Sequence, residues 1–462
     1  MKKLLFALSI LAILSACDSN STLEPTGNVK ISGQIDTAKS GQILLYQEVL
    51  NDYEIDTINI DESGNYEFEF ETSASKYYTL AYNDYYMQLF LSPGDDLNYS
   101  VINGKINISG KAAPRANFLK SVNEVEKTLG LKSYSRFMSD EKTFIKQYDS
   151  IFNILEQEIT KRKDSVDEKV FDFELNRIKY KKALSLLNYE DYHKYFAQVD
   201  TFKVSANFYD FINKLDLNNP KLIDLKDYRE FLTTYLVKNV EKVLENDSTL
   251  EDNITFMKEA QKISSNKEIQ SYAMFDHLFK ALKYNGIEDI DESLKFFKES
   301  CKNEEYNSKL DELFAKWNKI AKGNIATNFT YTDTSEVMIS LNDFKGKYVY
   351  IDVWATWCRP CMEEVPHMSA LIDEFKGKNI VFMGVSVDEL KDKAKWKEVV
   401  NKKGLKGIQL YAGGWKTTIA EAYNISSIPR FILIDREGKI INATAERPSE
   451  NIAEILKTLD GI

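Results

Sequence analysis

The sequence predicts a multidomain chain: a β-rich N-terminal sandwich or barrel, a helical middle domain and a C-terminal α/β domain. Three observations point there. Residues 29–111 alternate apolar and polar side chains between Gly, Asn, Asp and Ser turns. Residues 112–322 lose those turns and place apolar residues at helical spacing. From residue 325 strand patterns alternate with helix patterns, as in a sheet built with crossovers. A length of 462 residues fits about three domains at roughly 150 residues each. Hydrophobic content of 43% and aromatic content of 12% are enough for sizeable cores. A formal charge of −11 argues against a nucleic-acid partner, because phosphate binding needs a basic face.

The chain opens MKKLLFALSILAILSAC. Lys2 and Lys3 precede an apolar run, Leu4–Leu14, too short to cross a bilayer as a mature helix. It reads as a signal peptide over residues 1–16. Its end, Leu14-Ser15-Ala16-Cys17, resembles the bacterial lipobox, which implies cleavage before Cys17, acylation of that cysteine and a polar tether through residue 28. The mature protein is then expected outside the cytoplasm, in the cell envelope, anchored by lipid and facing the periplasm.

In the β-rich segment NVKISGQI, GQILLYQEVL, EIDTINI, NYEFEFET and KYYTLAY read as strands. The segment holds no His and no Cys, and its run Asp84-Tyr85-Tyr86-Met87 reads as sheet packing. The helical segment breaks near Asn218-Asn219-Pro220 and Asn285-Gly286, and its charge runs read as solvated helix faces. Beyond Gly323-Asn324 come strand VMISL, strand YVYIDVWA, helix 360–375, strand NIVFMGVSVD, helix 391–403, strand GIQLYA, helix 416–423, strand RFILID, a DREG turn, strand KIINATA and helix 450–459. The last two strands read as an antiparallel hairpin at the sheet edge.

The chemistry concentrates in Tyr348–Pro366, YVYIDVWATWCRPCMEEVP. Cys358 and Cys361 lie at a strand-to-helix turn, with two residues between them. At a helix N-terminus free backbone N–H groups and the helix dipole favour a thiolate. Arg359 adds a cation, and Pro360 fits a first turn that needs no N–H. Cys358 is therefore expected to be the exposed, easily ionised attacking sulfur, and Cys361, one turn in, the buried resolving thiol. Asp352 stands in an otherwise apolar strand six residues before Cys358. Burial would raise its pKa towards the working range of a proton carrier for Cys361; the competing reading is an acid on a solvated strand face. Ile428-Pro429 precedes the strand RFILID, and with a dithiol and this strand order its bond is expected to be cis.

Residues 325–462 resemble the thioredoxin-fold domain of the TlpA-like extracytoplasmic thiol–disulfide oxidoreductases. The resemblance rests on SLNDFKGKYVYIDVWATWCRPC, then Glu364-Val365-Pro366, VSVD, and Ile428-Pro429 with FILID. It implies Cys358 as nucleophile, Cys361 as resolving cysteine, Pro429 as the cis-proline facing them, and Trp354 and Trp357 as flanking aromatics. Asp352 falls where thioredoxins place a buried acid, which many TlpA-like proteins lack. Arg430 stands where such proteins usually carry Thr, in the loop that pairs with bound peptide. Trp357, Arg359, Pro360, Ile428 and Arg430 are therefore expected to face substrate. The segments ISGQIDTAKSGQILLYQ, GNYEFEF and LFLSPGDDLNYSV are similar to a domain of unknown function that precedes such domains in Bacteroidetes lipoproteins.

Other chemistry-bearing residues have plainer readings. Cys301, alone on a helix, reads as a small buried hydrophobe. His193, His277 and His367 are too few and too scattered for a metal site, and no second Cys pair accompanies the first, so no metal and no cofactor is expected. Glu363 and Glu364 read as first-turn acids that suit the helix dipole. The expected activity is dithiol–disulfide exchange with periplasmic protein thiols and disulfides, in the reducing direction, with electrons from a membrane thiol carrier; cytochrome c maturation is one process such reductases serve. The alternatives are a disulfide oxidase or isomerase, and a binding or scaffold lipoprotein with an accessory thioredoxin domain. A peroxidase is a weaker option, since an adjacent resolving cysteine argues against it.

Overall fold

The computed structural model of the chain describes residues 26–38, 41–50, 52–83, 85–131, 133–288 and 290–462. The expected signal segment, Cys17 and most of the tether lie outside the described residues. The chain divides into two compact units between Val204 and Ser205, inside the helical stretch.

In the first unit eight strands form two four-stranded sheets. β1 (Gly27–Gln34), β4 (Asn65–Thr72), β7 (Asp96–Ile102) and β8 (Lys105–Ser109) make one, in the order β4-β1-β7-β8. β2 (Gly41–Val49), β3 (Asp52–Ile60), β5 (Lys76–Tyr82) and β6 (Tyr85–Leu91) make the other, in the order β3-β2-β5-β6. Val29, Ile31 and Leu97 from the first share one core with Ile43, Leu45, Leu80 and Leu89 from the second, so the domain is a sandwich. Gly33 permits a close approach within it: a Cβ there would lie 1.9 Å from the Tyr99 carbonyl oxygen. Tyr85 and Tyr86, expected to pack in a sheet, are instead exposed at the start of edge strand β6, whereas Met87 turns inward. Four helices follow: α1 (Ala113–Thr128), α2 (Glu141–Thr160), α3 (Glu168–Leu187) and α4 (Tyr189–Ala197). Asp140 and Asp167 cap α2 and α3 by accepting from the backbone N–H of Thr143 and Val170.

The second unit begins with five helices: α5 (Lys226–Asn246), α6 (Asp252–Ala260), α7 (Lys267–Asn285), α8 (Asp291–Ser300) and α9 (Glu304–Asn318). Gly286 ends α7 with a left-handed φ of 90°, the break its sequence predicts. A seven-stranded sheet follows, built from β9 (Thr330–Asp333), β10 (Met338–Ser340), β11 (Tyr348–Trp354), β12 (Ile380–Ser386), β13 (Ile408–Tyr411), β14 (Arg430–Ile434) and β15 (Ile440–Asn442). Its order is β10-β9-β13-β12-β11-β14-β15. β11, β12 and β13 run parallel, and β14 and β15 form the expected antiparallel edge hairpin. α10 (Arg359–Glu374), α11 (Lys393–Lys403), α12 (Thr418–Ala422) and α13 (Ile452–Lys457) complete the α/β domain, a thioredoxin fold.

One face of β11 packs Ile351 and Val353 with Val385, Trp396 and Ile432, and with Trp317 and Ile320 from the end of the helical stretch. The other packs Tyr350 with Phe375, Phe431 and Leu456. A strand enclosed on both faces reads as a nearly unbroken apolar run, and YVYIDVW does so except at Asp352.

Candidate active site

β11 delivers the chain to the dithiol at its carboxyl end, where open α/β sheets place their ligand sites. Ala355 is fully buried, and the next residue is pinned from the segment just after β12. The carboxylate of Asp388, itself fully buried, accepts from the Thr356 backbone N–H at 3.0 Å and its hydroxyl at 2.7 Å, and from the Ser386 hydroxyl at 2.7 Å. Val387 N–H donates to the Trp354 carbonyl at 2.9 Å. These bonds fix the loop that leads into α10. Sequence reasoning noted VSVD and missed this role of its last residue; the signal available was an acid closing an apolar strand.

Cys358 is the N-cap of α10 and Cys361 lies in its first turn, with Pro360 between them. The Cys361 backbone N–H donates to Cys358 Sγ at 3.2 Å, and the two cysteines are joined as a disulfide. An N-cap sulfur that receives a backbone N–H sits where negative charge is favoured. Cys358 was expected to be the exposed partner. In this disulfide state it is 4% exposed and Cys361 2%, because the bond and the N–H contact draw Sγ into the helix's first turn, beside buried Trp354 and Ala355. The rim is what reaches solvent: Trp357 at 55% exposure, with Arg359 and Pro360. Trp357 lies 6.5 Å from Trp415, ring centre to ring centre, in a tilted pair. The Arg359 guanidinium turns outward to Glu363, 3.0 Å away, so its charge is shared at the surface.

Asp352 is half-buried as a residue, but its Oδ1 is enclosed and has no hydrogen-bond partner. Burial, and then the nearby charge of Glu364, push its carboxyl up to about 8. Glu364, read from sequence as a first-turn acid suited to the helix dipole, is 6% exposed and accepts from the Ser449 backbone N–H at 3.0 Å and hydroxyl at 2.8 Å. It lies on the inward face of α10, one turn after Cys361. Asp352, Trp354 and Cys361 share a cavity of about 300 Å³ with α10 and with the segment between α11 and β13.

The Ile428–Pro429 bond is cis, as expected, and both residues are half-buried. Ile428 packs against the core that holds the dithiol. Arg430 is not turned to the rim. It is 5% exposed, its guanidinium carbon lies 5.5 Å from the Trp317 ring centre, and Nη2 donates to the Tyr284 carbonyl at 3.1 Å. The helical stretch supplies both partners, a relationship no local pattern in the sequence marks. Burial lowers the Arg430 guanidinium to about 10.

The remaining candidates lie elsewhere. Cys301 is buried directly after α8. His193 is buried with Nδ1 2.8 Å from the Phe137 carbonyl. His277 stacks on Phe256, and burial lowers its imidazole to about 4. His367 is exposed on α10. Among the described residues no three His, Cys, Asp or Glu side chains gather as a metal site, and no helix is long and apolar enough to cross a membrane.

The AhpC/TSA family matches residues 322–443. Thiol-disulfide oxidoreductase ResA of Bacillus cereus is 34% identical over 148 residues, 32% of this chain and 83% of the relative. The Bacillus subtilis protein of that name is 31% identical over 141 residues, 30% of this chain and 76% of the relative. Among solved structures, the thioredoxin domain of a thiol-disulfide oxidoreductase from Bacteroides vulgatus is 32% identical and covers 29% of this chain and 97% of its own, with a TM-score of 0.27. All of these likenesses fall on the segment that carries the dithiol or cover under a third of the chain.

Proposed function

The chain belongs to the ResA-like thiol–disulfide oxidoreductases, and on that footing we propose that it reduces protein disulfides outside the cytoplasm while anchored to a membrane through lipid on Cys17. It is an enzyme of dithiol–disulfide exchange. The observation that carries the residue roles is the pairing of Cys358 at the N-cap of α10 with Cys361 in the first turn.

In the reducing direction the Cys358 thiolate attacks one sulfur of a client disulfide. The client S–S bond breaks, one client sulfur leaves as a thiolate, and a mixed disulfide forms on Cys358. Cys361 then gives its proton to Asp352 and attacks Cys358 Sγ. The ring closes, and the second client sulfur leaves and takes a proton from water. The client gains the two electrons that the dithiol loses, and a membrane thiol carrier would return them. Trp357, Pro360 and Ile428 would meet the client polypeptide. The export signal, the lipobox-like end at Cys17 and the polar tether support the envelope location.

Trapping tests the reading. Cys361→Ala expressed in the cell envelope should accumulate mixed disulfides through Cys358, and Cys358→Ala should accumulate none. A dithiol potential close to those of strong oxidants, near roughly −120 mV, would overturn the reducing direction. If no client is trapped while the first 320 residues capture a partner without the thiols, the scaffold reading replaces this one.

A further inference from the structure

Three neighbouring strands place one residue each on the sheet face beneath α10. Asp352 of β11 pairs with Gly384 of β12, and Gly384 pairs with Gln409 of β13. The middle position has no side chain, and the Gln409 amide occupies the space: a Cβ on Gly384 would lie 2.4 Å from Gln409 Oε1 and 2.9 Å from its Cδ. Gln409 Nε2 donates to the Lys406 carbonyl at 2.8 Å, which fixes which end of the amide faces inward. Oε1 is left enclosed with no donor. Asp352 Oδ1 is also enclosed with no donor. Both side chains line the cavity of about 300 Å³ that Cys361 borders, and Lys403, Gly404 and Leu405 form its far side.

Two buried acceptors that face one cavity need donors, since an unsatisfied buried polar group costs about 1–3 kcal/mol. The cavity wall is mixed, with these two acceptors among apolar side chains, and it has room for several waters at about 30 Å³ each. We propose that Gln409 is a positioning residue for proton transfer: its Oε1 and the Asp352 carboxyl hold water that carries the proton of Cys361 from Asp352 out past the Lys403–Leu405 segment. The inference rests on Asp352 serving Cys361 as base. In the resolving step the Cys361 S–H bond breaks, its proton binds Asp352, the Cys361–Cys358 bond forms and the bond from Cys358 to the substrate sulfur breaks. With its carboxyl raised to about 8, Asp352 is mostly protonated at pH 7, so it must pass that proton to solvent before it can take the one from Cys361, and the Gln409 side of the cavity is the route.

The groups that face Asp352 leave Gln409 a distinct part. α10 presents Glu364, whose charge opposes ionisation of Asp352. β14 presents Phe431 and β11 presents Tyr350, whose hydroxyl donates to the Glu446 carbonyl. On the α11–β13 side, Lys403 is exposed and Lys406 pairs with Asp373. Gln409 is the neutral acceptor among them.

Ellman's reagent separates the two steps. The reduced full chain releases one coloured thiolate when Cys358 forms the mixed disulfide and a second when Cys361 resolves it. Gln409→Met keeps the length of the side chain and removes the acceptor; Gln409→Leu is the second variant. The expected result is an unchanged first phase, an unchanged dithiol potential and a second phase slowed by about tenfold at pH 7, with the deficit closing at high pH as hydroxide takes the thiol proton. Asp352→Asn should also slow the second phase, and Asp352→Asn with Gln409→Met should be no slower than Asp352→Asn alone. A normal second phase in both Gln409 variants, with Asp352→Asn slow, overturns the role of Gln409 and leaves the base in place. A normal second phase in Asp352→Asn overturns the base itself. A change of both phases and of the potential in the Gln409 variants shows a merely structural residue and also overturns the proposal.

Discussion

The Arg430 guanidinium lies over the Trp317 ring, 5.5 Å from its centre. Arg430 directly follows the cis proline, and Trp317 lies in the last turn of α9. The contact therefore ties the loop beside the dithiol to the helical stretch that precedes the α/β domain. A desolvated cation–π pair is worth about 2 kcal/mol, and the apolar burial of Trp317 is worth more.

Trp317→Ala is accordingly expected to lower unfolding stability by about 3–5 kcal/mol, read as a fall in the urea midpoint with the slope unchanged. Arg430→Met keeps the stem and removes a buried charge whose Nη1 has no hydrogen-bond partner. Its cost should stay below about 2 kcal/mol. Equal losses for the two would show that the charge, not the packing, holds the loop.

Asp352 gives stability a pH dependence of definite sign. Its ordinary value of 3.8 is raised to about 8 in the fold. Between those values the folded chain binds a proton that the unfolded chain has lost. Its contribution is thus full below about pH 4, declines as pH rises through the window and is gone above about pH 8. Asp352→Asn should abolish that decline, and at pH 9 it should be more stable than the parent by an amount on the order of a few kcal/mol. Thermal unfolding of both proteins at pH 5 and pH 9 checks it; parallel curves would show that the carboxyl is not held protonated.

Glu364→Gln removes the like charge that opposes ionisation of Asp352 while keeping an acceptor for Ser449. The pH midpoint of the resolving step should move down from the neighbourhood of 8. Ser449→Ala removes the hydroxyl bond to Glu364 and leaves the charge, so it should leave that midpoint in place. An identical shift in both variants would assign the effect to geometry.

Asp388→Ala strands two donors on Thr356 and one on Ser386 in a buried site. The expected loss is about 3 kcal/mol or more, with slower mixed-disulfide formation at Cys358 because the loop before it loosens. Asp388→Asn, which keeps one acceptor oxygen, should fall between. Urea unfolding and the first Ellman phase measure the two effects.

The parts of this molecule that local pattern dictates were legible. Alternation marked the sandwich strands, the apolar run YVYIDVW marked a strand covered on both faces, and CRPC marked the helix start. The single acid in that apolar run announced Asp352. Less legible was β9, since Thr330-Tyr331-Thr332-Asp333 is only partly covered and carries little apolar signal. The inward turn of Glu364 was not legible, because helix-dipole reasoning says which end an acid suits and not which face it turns to. Arg430 was misplaced because its partners, Trp317 and Tyr284, are more than a hundred residues away. Gln409 became visible only when β11, β12 and β13 set Asp352, Gly384 and Gln409 side by side.

Trp317 and Ile320 lie before residue 322, where the likeness to the AhpC/TSA family begins, yet they are 2% and 3% exposed in the core of the dithiol-bearing domain. A cut at that border would uncork the fold: the strands would remain, with an open well where an indole had been. Whoever transplants this catalyst onto another polypeptide must carry the last turn of α9 with it as the stopper.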